Sequence, residues 1–503
     1  MCYHQIYDMA EKNKHNHTTD NDTTYDHIVK YIGLFGGVQG LNLLIGIIRN
    51  KITAFILGPA GIGLINIYNK VTGLLNQATN LGISFSAVKH VAELSEDSDY
   101  QRRNELIDTV RMWCVMTAAL GMLVGLVLSP WISWWTFKNY DYTQTFCLLS
   151  LIVATTTIAG GEMAILKGLK QLKKVAIISI FAALGTLLAC IPFYYIMGIN
   201  GIVSALVVSN IIVLGIHLHY SSKVAPWRKT IATFKSVKEG VPMAKLGIAY
   251  ILAGVIGQGA DFFISTFILK HSNLESVGLY NTGFLLITYI GSLLFTAVEA
   301  DFFPRLSALV NDTKRANATI NQQIEVCTLL ISPCIILEVI AMPLIVRLLY
   351  TAQFAEAAPM ATCAIFYLFF KAMTLPVAYL ALAKGDSKTF LTAEVLYGVF
   401  IAIAVPFAFV RYGLVGAGAA LSFAGLFDLL LIYIYYGMRY KFRLALRPIK
   451  TYVLQGLLLG ICVYSTTLSD ATAKWMLGIS TLVISSLISF YQLRRKTSFL
   501  NKI

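Results

Sequence analysis

Long apolar runs separated by short polar connections recur from residue 28 almost to the end of the chain, and no other feature limits the fold so strongly. A helix crossing a bilayer needs about 20 such residues in a row. Hydrophobic residues make up 57% of the 503 and charged residues only 13%, about half the ~25% usual in a soluble domain. That leaves too little polar surface to face water. The chain therefore reads as an all-α polytopic membrane protein.

Fourteen spans are predicted, at 28–57, 61–89, 112–135, 143–166, 175–197, 201–221, 246–269, 278–303, 323–349, 357–382, 390–410, 414–437, 451–468 and 475–493. Several are longer than a perpendicular crossing needs, which implies tilt or extension past the hydrocarbon. Residues 1–27 are polar, lack apolar periodicity and read as a disordered cytoplasmic tail with no cleavable signal. With both ends inside, 31 of the 40 Lys and Arg fall in inside segments. Only Lys138, Lys270, Arg411 and Lys474 fall outside, and five lie within spans. This bias sets the orientation. It also accounts for the net charge of +14 without a nucleic-acid partner.

Sliding the chain along itself matches Gly63, Leu64 and Asn66 to Gly278, Leu279 and Asn281. The same offset matches Gly198, Gly201, Ala205 and Leu206 to Gly413, Gly416, Ala420 and Leu421, and Lys173 to Lys388. A gapless offset across both halves indicates a duplication. It divides the chain into the tail 1–27, an N-lobe 28–222, a cytoplasmic linker 223–245, a C-lobe 246–438, and an added pair of spans with the C-terminus, 439–503.

Polar residues inside spans are costly and face a bundle interior or a wet cavity. Span 2 carries Asn66, Lys70, Gly73, Gln77, Asn80 and Ser84 at spacings of three and four, on one helical face. Span 1 carries Gln39, Asn42, Gly46, Arg49 and Thr53, span 7 carries Gln258, Asp261 and Ser265, and span 8 carries Asn281, Thr288, Ser292 and Glu299. Four such stripes predict a central water-filled cavity. Arg49 and Lys70 each lie about 13 Å from the turn joining their spans, so two cations share a depth near mid-bilayer. They require an acidic partner such as Asp261, or an anionic ligand. Lys51 points to another face and reads as packing or snorkelling. Glu162, Glu325, Glu338, Arg347, Lys371, Glu394 and Asp428 share no stripe and read as structural ion pairs.

No Walker A, HExxH or GxSxG sequence is present, and no metal site or cofactor is called for. The outside loops are too short for a catalytic domain, which favours transport over enzymatic work. The segment 49–88, with its LGPAGIGL turn, Arg49–x–Lys51 and Asn80–Leu81–Gly82, resembles the first hairpin of Wzx-type flippases for lipid-linked oligosaccharides. These O-antigen translocases belong to the multidrug/oligosaccharidyl-lipid/polysaccharide exporter superfamily. The resemblance implies two lobes around a cavity lined by spans 1, 2, 7 and 8. It implies alternating access that moves an undecaprenyl-diphosphate-linked sugar unit from the cytoplasmic to the periplasmic leaflet of a bacterial inner membrane. It also implies partners in surface-glycan and lipopolysaccharide synthesis, a polymerase and glycosyltransferases. The resemblance implies that Arg49 and Lys70 face the diphosphate, and the stripe residues Asn66, Gln77, Asn42, Asn281 and Ser292 complete the candidate substrate-binding set. Asp261 and Glu299 depart from an all-basic cavity and are candidates for coupling H+ or Na+. The competing readings are a cation-coupled multidrug exporter of the same fold and a membrane glycan polymerase.

Overall fold

The computed structural model describes residues 2–95, 100–227 and 234–495, and regular structure among them is helical throughout. The N-terminal half comprises α1 (Cys2–Thr79), α2 (Ile83–Ser95), α3 (Tyr100–Phe137), α4 (Thr143–Gly168), α5 (Leu172–Met197) and α6 (Ile202–Ser222). The second half comprises α7 (Phe234–His271), α8 (Leu274–Ala308), α9 (Thr313–Leu349), α10 (Ala357–Ala383) and α11 (Ser387–Tyr440). It is followed by α12 (Leu446–Ser465) and α13 (Ala471–Arg494).

Ten helical stretches among the described residues are long and apolar enough to cross a membrane, against the fourteen spans predicted. Three of the ten hold sharp reversals. Gly58 (φ 63°) turns α1 back on itself and Gly413 (φ 61°) does the same to α11, while a short 3-10 turn at Gly198–Gly201 joins α5 to α6. The helix of α1 runs from Cys2, so the stretch read as a structureless tail is helical in its backbone. Extending an existing helix needs no new nucleation, which polar composition alone cannot reveal. Span 2 is not continuous either. It breaks at Leu81 (φ 53°) and Gly82 (φ 62°), where Asn80 Oδ1 accepts the Gly82 N–H at 2.7 Å.

The repeat offset reappears in the backbone. Asn66 donates to the Ile62 carbonyl and Asn281 to the Val277 carbonyl, both at 2.8 Å. Gly201 lies against the Phe193 carbonyl and Gly416 against the Ala408 carbonyl, the same contact at the shifted positions. The α4–α5 and α10–α11 turns also coincide. Gln171 N–H donates to Leu166 and Asp386 N–H to Ala381, both at 2.9 Å.

The halves meet where α1 crosses α8. A Cβ on Gly63 would strike the Leu274 carbonyl, and one on Gly278 would strike the Pro59 carbonyl, so the two backbones touch directly. Lys51 reinforces this end by donating to the Arg347 carbonyl at 2.7 Å and to the Tyr350 carbonyl. It neutralises the carbonyl end of α9 from the opposite half, a role for which a lysine suits the helix dipole. The positive-inside expectation puts this sealed end outside, and on that expectation it is called outer below.

Large apolar side chains cover the outward faces, for example Val127, Leu348 and Phe423, as lipid contact requires. Buried hydroxyls bond back to their own helices, as with Thr328 to Ile324 and Ser332 to Thr328. Gln455 and Ser485 pair at 2.6 Å and join α12 to α13.

Candidate functional site

Two polar stripes predicted to line a cavity instead meet face to face. The second limb of α1, after Gly58, lays Lys70, Gly73 and Gln77 against Ser265, Asp261, Gln258 and Gly254 of α7. Lys70 Nζ donates to Ser265 Oγ at 2.7 Å and lies 3.2 Å from Asp261 Oδ1 and 3.4 Å from the Asp261 carbonyl. Gln258 approaches Gly73, and Gln77 fills the space above Gly254. The antiparallel crossing of two 3-and-4 spacings produces this register.

Below the contact opens a cavity of about 420 Å³ lined by Gln77, Gly254, Gly257, Gln258, Asp261 and Glu394, with Ala253 and Phe390 at its wall. Glu394 lies seven residues into α11, about 10 Å from that helix's inner end. The cavity thus occupies the inner half of the molecule while the outer ends are sealed. Lys70 is only 9% exposed, and an ammonium that deep requires a counter-charge. Asp261 supplies it, and its carboxylate is shared with the open cavity.

The other predicted site residues lie apart from this group. Arg49 is exposed and has no ion pair among the described residues, and no contact joins it to Lys70. Asn66 and Asn281 spend their amides on their own helices beside the outer seal. Asn42 keeps a buried side-chain oxygen without a partner among the described residues. Ser292 is exposed on α8 and donates to the Tyr289 carbonyl at 2.8 Å. The Glu299 side chain lies outside the described residues. Among the described residues none from α8 lines this cavity, and α11 contributes Phe390 and Glu394 to it, which the sequence did not foresee.

Three of the intramembrane acids form the structural pairs anticipated for them. Glu162 receives Arg111 through two bonds of 2.9 and 3.0 Å, Asp428 holds Lys371 at 2.7 Å, and Glu325 lies 3.3 Å from Arg447. Lys371 also sits 4.8 Å from the Tyr397 ring. Glu338 differs, since its Oε2 is buried without a hydrogen-bond partner among the described residues. Arg347 takes part through its backbone, as the carbonyl that receives Lys51. Glu394 differs as well, because α11 turns it into the cavity. A lone acid on an otherwise apolar span gives no stripe by which that turn could be foreseen.

The site thus joins a buried cation at the lobe crossing to a cavity open on the side away from the seal. Residues 52–359 match the polysaccharide biosynthesis protein family, well over half of the chain. The chain belongs to that family. It is also similar to the lipid III flippases of Escherichia coli K12 and Shigella flexneri, 26% identical over 230 residues. That alignment covers 46% of this chain and 50% of each relative, so the chain spans about half the length of the curated relatives it matches. Among solved structures, the inward closed lipid II flippase MurJ superposes with a TM-score of 0.68 at 15% identity, covering 92% of this chain and 99% of that one. An inward-facing multidrug resistance MATE transporter superposes at 0.65 and 13% identity, covering 80% and 94%. This member of the polysaccharide biosynthesis protein family therefore shares its multi-pass helical fold with the lipid II flippase MurJ and the MATE transporter. The curated relatives and the solved structures it resembles are flippases and transporters.

Proposed function

We propose that this protein is a flippase for a lipid-linked oligosaccharide, moving an undecaprenyl-diphosphate-linked unit of O-antigen or a related surface glycan across a bacterial inner membrane. Both termini are cytoplasmic in this reading, and the unit passes from the cytoplasmic to the periplasmic leaflet by alternating access. The observation that carries it is Lys70, a buried cation whose counter-charge, Asp261, also faces an open cavity. A diphosphate entering from the inner side competes with Asp261 for the ammonium, because charge-assisted bonds are strong where water is scarce. Arg49 adds a second cation on the other limb of α1. Gln77 and Gln258 offer amides to sugar hydroxyls, and Asn42 has an open acceptor. Asp261, once released from Lys70, is the group able to take H+ or Na+, with Glu299 as the second candidate. Glycosyltransferases supply the substrate and a polymerase consumes it. No cofactor is required.

The decisive experiment measures glycan export and the leaflet of the lipid-linked unit in cells carrying Lys70→Ala, Arg49→Ala or both. Loss of export at normal protein level is expected, with the unit accumulating on the cytoplasmic side. Normal export in the double variant overturns the assignment.

One observation favours a second reading, a cation-coupled multidrug exporter of the same fold. Among the described residues the cavity is lined by two carboxylates, Asp261 and Glu394, and by no cation. Organic cations would suit such a wall. Under that reading a deletion strain becomes drug-sensitive while its surface glycan stays intact.

A further inference from the structure

The acids inside the spans divide by what holds them. Glu162 has Arg111, Asp428 has Lys371, Glu325 has Arg447 and Asp261 has Lys70. Glu394 has the open cavity. Glu338 has neither a cation nor a cavity. It is 2% exposed, makes no ion pair among the described residues, and keeps its buried Oε2 without a hydrogen-bond partner there.

Its place in α9 makes this costly. Glu338 stands in the buried ridge Ile331, Ile335, Met342, at spacings of four, three and four, and those three side chains belong to the main apolar cluster of the second half. It lies eleven residues before Leu349, the last of α9, so about 16 Å from the outer end and near mid-bilayer. Titratable groups in or beside the cluster are Tyr280 of α8, Tyr367 of α10, Tyr452 and Cys462 of α12, and Cys327, Cys334 and Tyr350 on or next to α9. All are uncharged at neutral pH. From α13 the cluster takes only Leu482 and Ile488. The acids at 299 and 301 lie 25 or more residues from the outer end of α8, at least about 37 Å, and so well inward of Glu338.

A carboxylate in such a place is far less favourable than the neutral acid, because nothing replaces the water it has lost. A metal ion needs several oxygen ligands, and no grouping of three His, Cys, Asp or Glu is found among the described residues. The ligand that the site can take is a proton. Pro333 and Pro343 stand five residues to either side of Glu338. Each removes the N–H that would reach a carbonyl four residues earlier, so α9 bends most easily at the two ends of the segment carrying the acid. A bend at either point parts the ridge from its neighbours and lets the acid ionise.

We propose that Glu338 is a proton-binding site of the second half, loaded while the cavity opens inward and emptied when α9 bends as the lobes change over. The bound proton rests on burial and position alone, and its release during turnover rests on the alternating-access reading of the flippase. The site is separate from Asp261, whose charge Lys70 already holds.

The test begins with the full chain in detergent at about pH 7, where an exposed glutamate is ionised. Infrared difference spectra of the parent against Glu338→Gln are expected to show the C=O stretch of an un-ionised carboxyl in the parent alone. If no such band is lost in Glu338→Gln, the bound proton is overturned. Glu338→Met puts an apolar side chain of similar length into the ridge and keeps or raises stability. Glycan export is then measured in cells carrying Glu338→Gln or Glu338→Met. Both are expected to lower it by about tenfold or more at normal protein level, since neither side chain can release a proton. Normal export in Glu338→Met overturns the release step, because a merely structural acid would be replaced there without loss. The infrared measurement needs no substrate, so its failure is told apart from failure of the flippase reading, which Lys70→Ala and Arg49→Ala decide.

Discussion

At their inner turns the two lobes follow one backbone path but keep opposite charges. Gly385 and Asp386 make the second lobe's turn self-sufficient, with a carboxylate satisfied by Thr389, Arg439 and Tyr440. In the first lobe Lys170 (φ 56°) takes the left-handed place of Gly385 and Gln171 the place of Asp386, beside a cavity of about 260 Å³. The buried ion pairs differ in a similar way. Arg111 and Glu162 are 3% and 1% exposed in their side chains, whereas Lys371 opposite Asp428 is 24% exposed and shares its charge with aromatic rings. Duplication has preserved hydrogen-bond geometry, and the chemistry has been rewritten around it.

This contrast can be broken most severely at the ion pairs. Glu162→Gln strands a buried guanidinium and is expected to cost about 3–5 kcal/mol in unfolding free energy. Asp428→Asn should cost less, because Lys371 retains Tyr397 and partial solvent. Denaturant unfolding in detergent compares the two, and an equal or reversed order would refute the asymmetry. Next in size is the outer seal, where symmetry predicts equality. Gly63→Val and Gly278→Val each push a side chain into a carbonyl of the other lobe and should each cost roughly 1–3 kcal/mol, with export falling in parallel. A large effect at only one of them would show that the seal is not shared.

Smaller again are Gly198→Ala and Gly413→Ala. Both positions are left-handed with open space around them, so each should lose about 1–2 kcal/mol from backbone strain alone, measured as a drop in melting temperature. The smallest effect is one of pH. The Thr389 N–H holds the Asp386 carboxyl down to about 2, with further help from the Thr389, Tyr440 and Arg439 side chains. In the unfolded chain the group returns to about 3.9. Its stabilising share is therefore complete above pH 4 and fades as the pH falls from there towards 2. Asp386→Asn should flatten the melting temperature across that window. Gln171→Ala in the first lobe should leave the pH response as it is.

The all-helical membrane fold and the repeat were legible because both depend on periodicity, which sequence displays directly. Lys70 and Asp261 were legible as a possible pair because a cation near mid-bilayer demands a partner. Glu394 was not, because the rotation of α11 is set by its packing against α7 and α10 rather than by any pattern of its own. The break at Asn80–Gly82 was hidden within a motif that reads as helix on hydropathy alone. The hollow turn at Lys170 had a signal, the match of Lys173 to Lys388 three residues on. Its meaning needed the backbone, since only the left-handed angles show that lysine stands where glycine belongs.

The contact that closes the outer face is made by main chain pressed on main chain, at Gly63 and Gly278. Lys51 braces it from the side, but the close approach itself depends only on the two missing Cβ atoms. A closure of that kind can be inherited across wide changes of cargo, since nothing in it reads what the cavity carries.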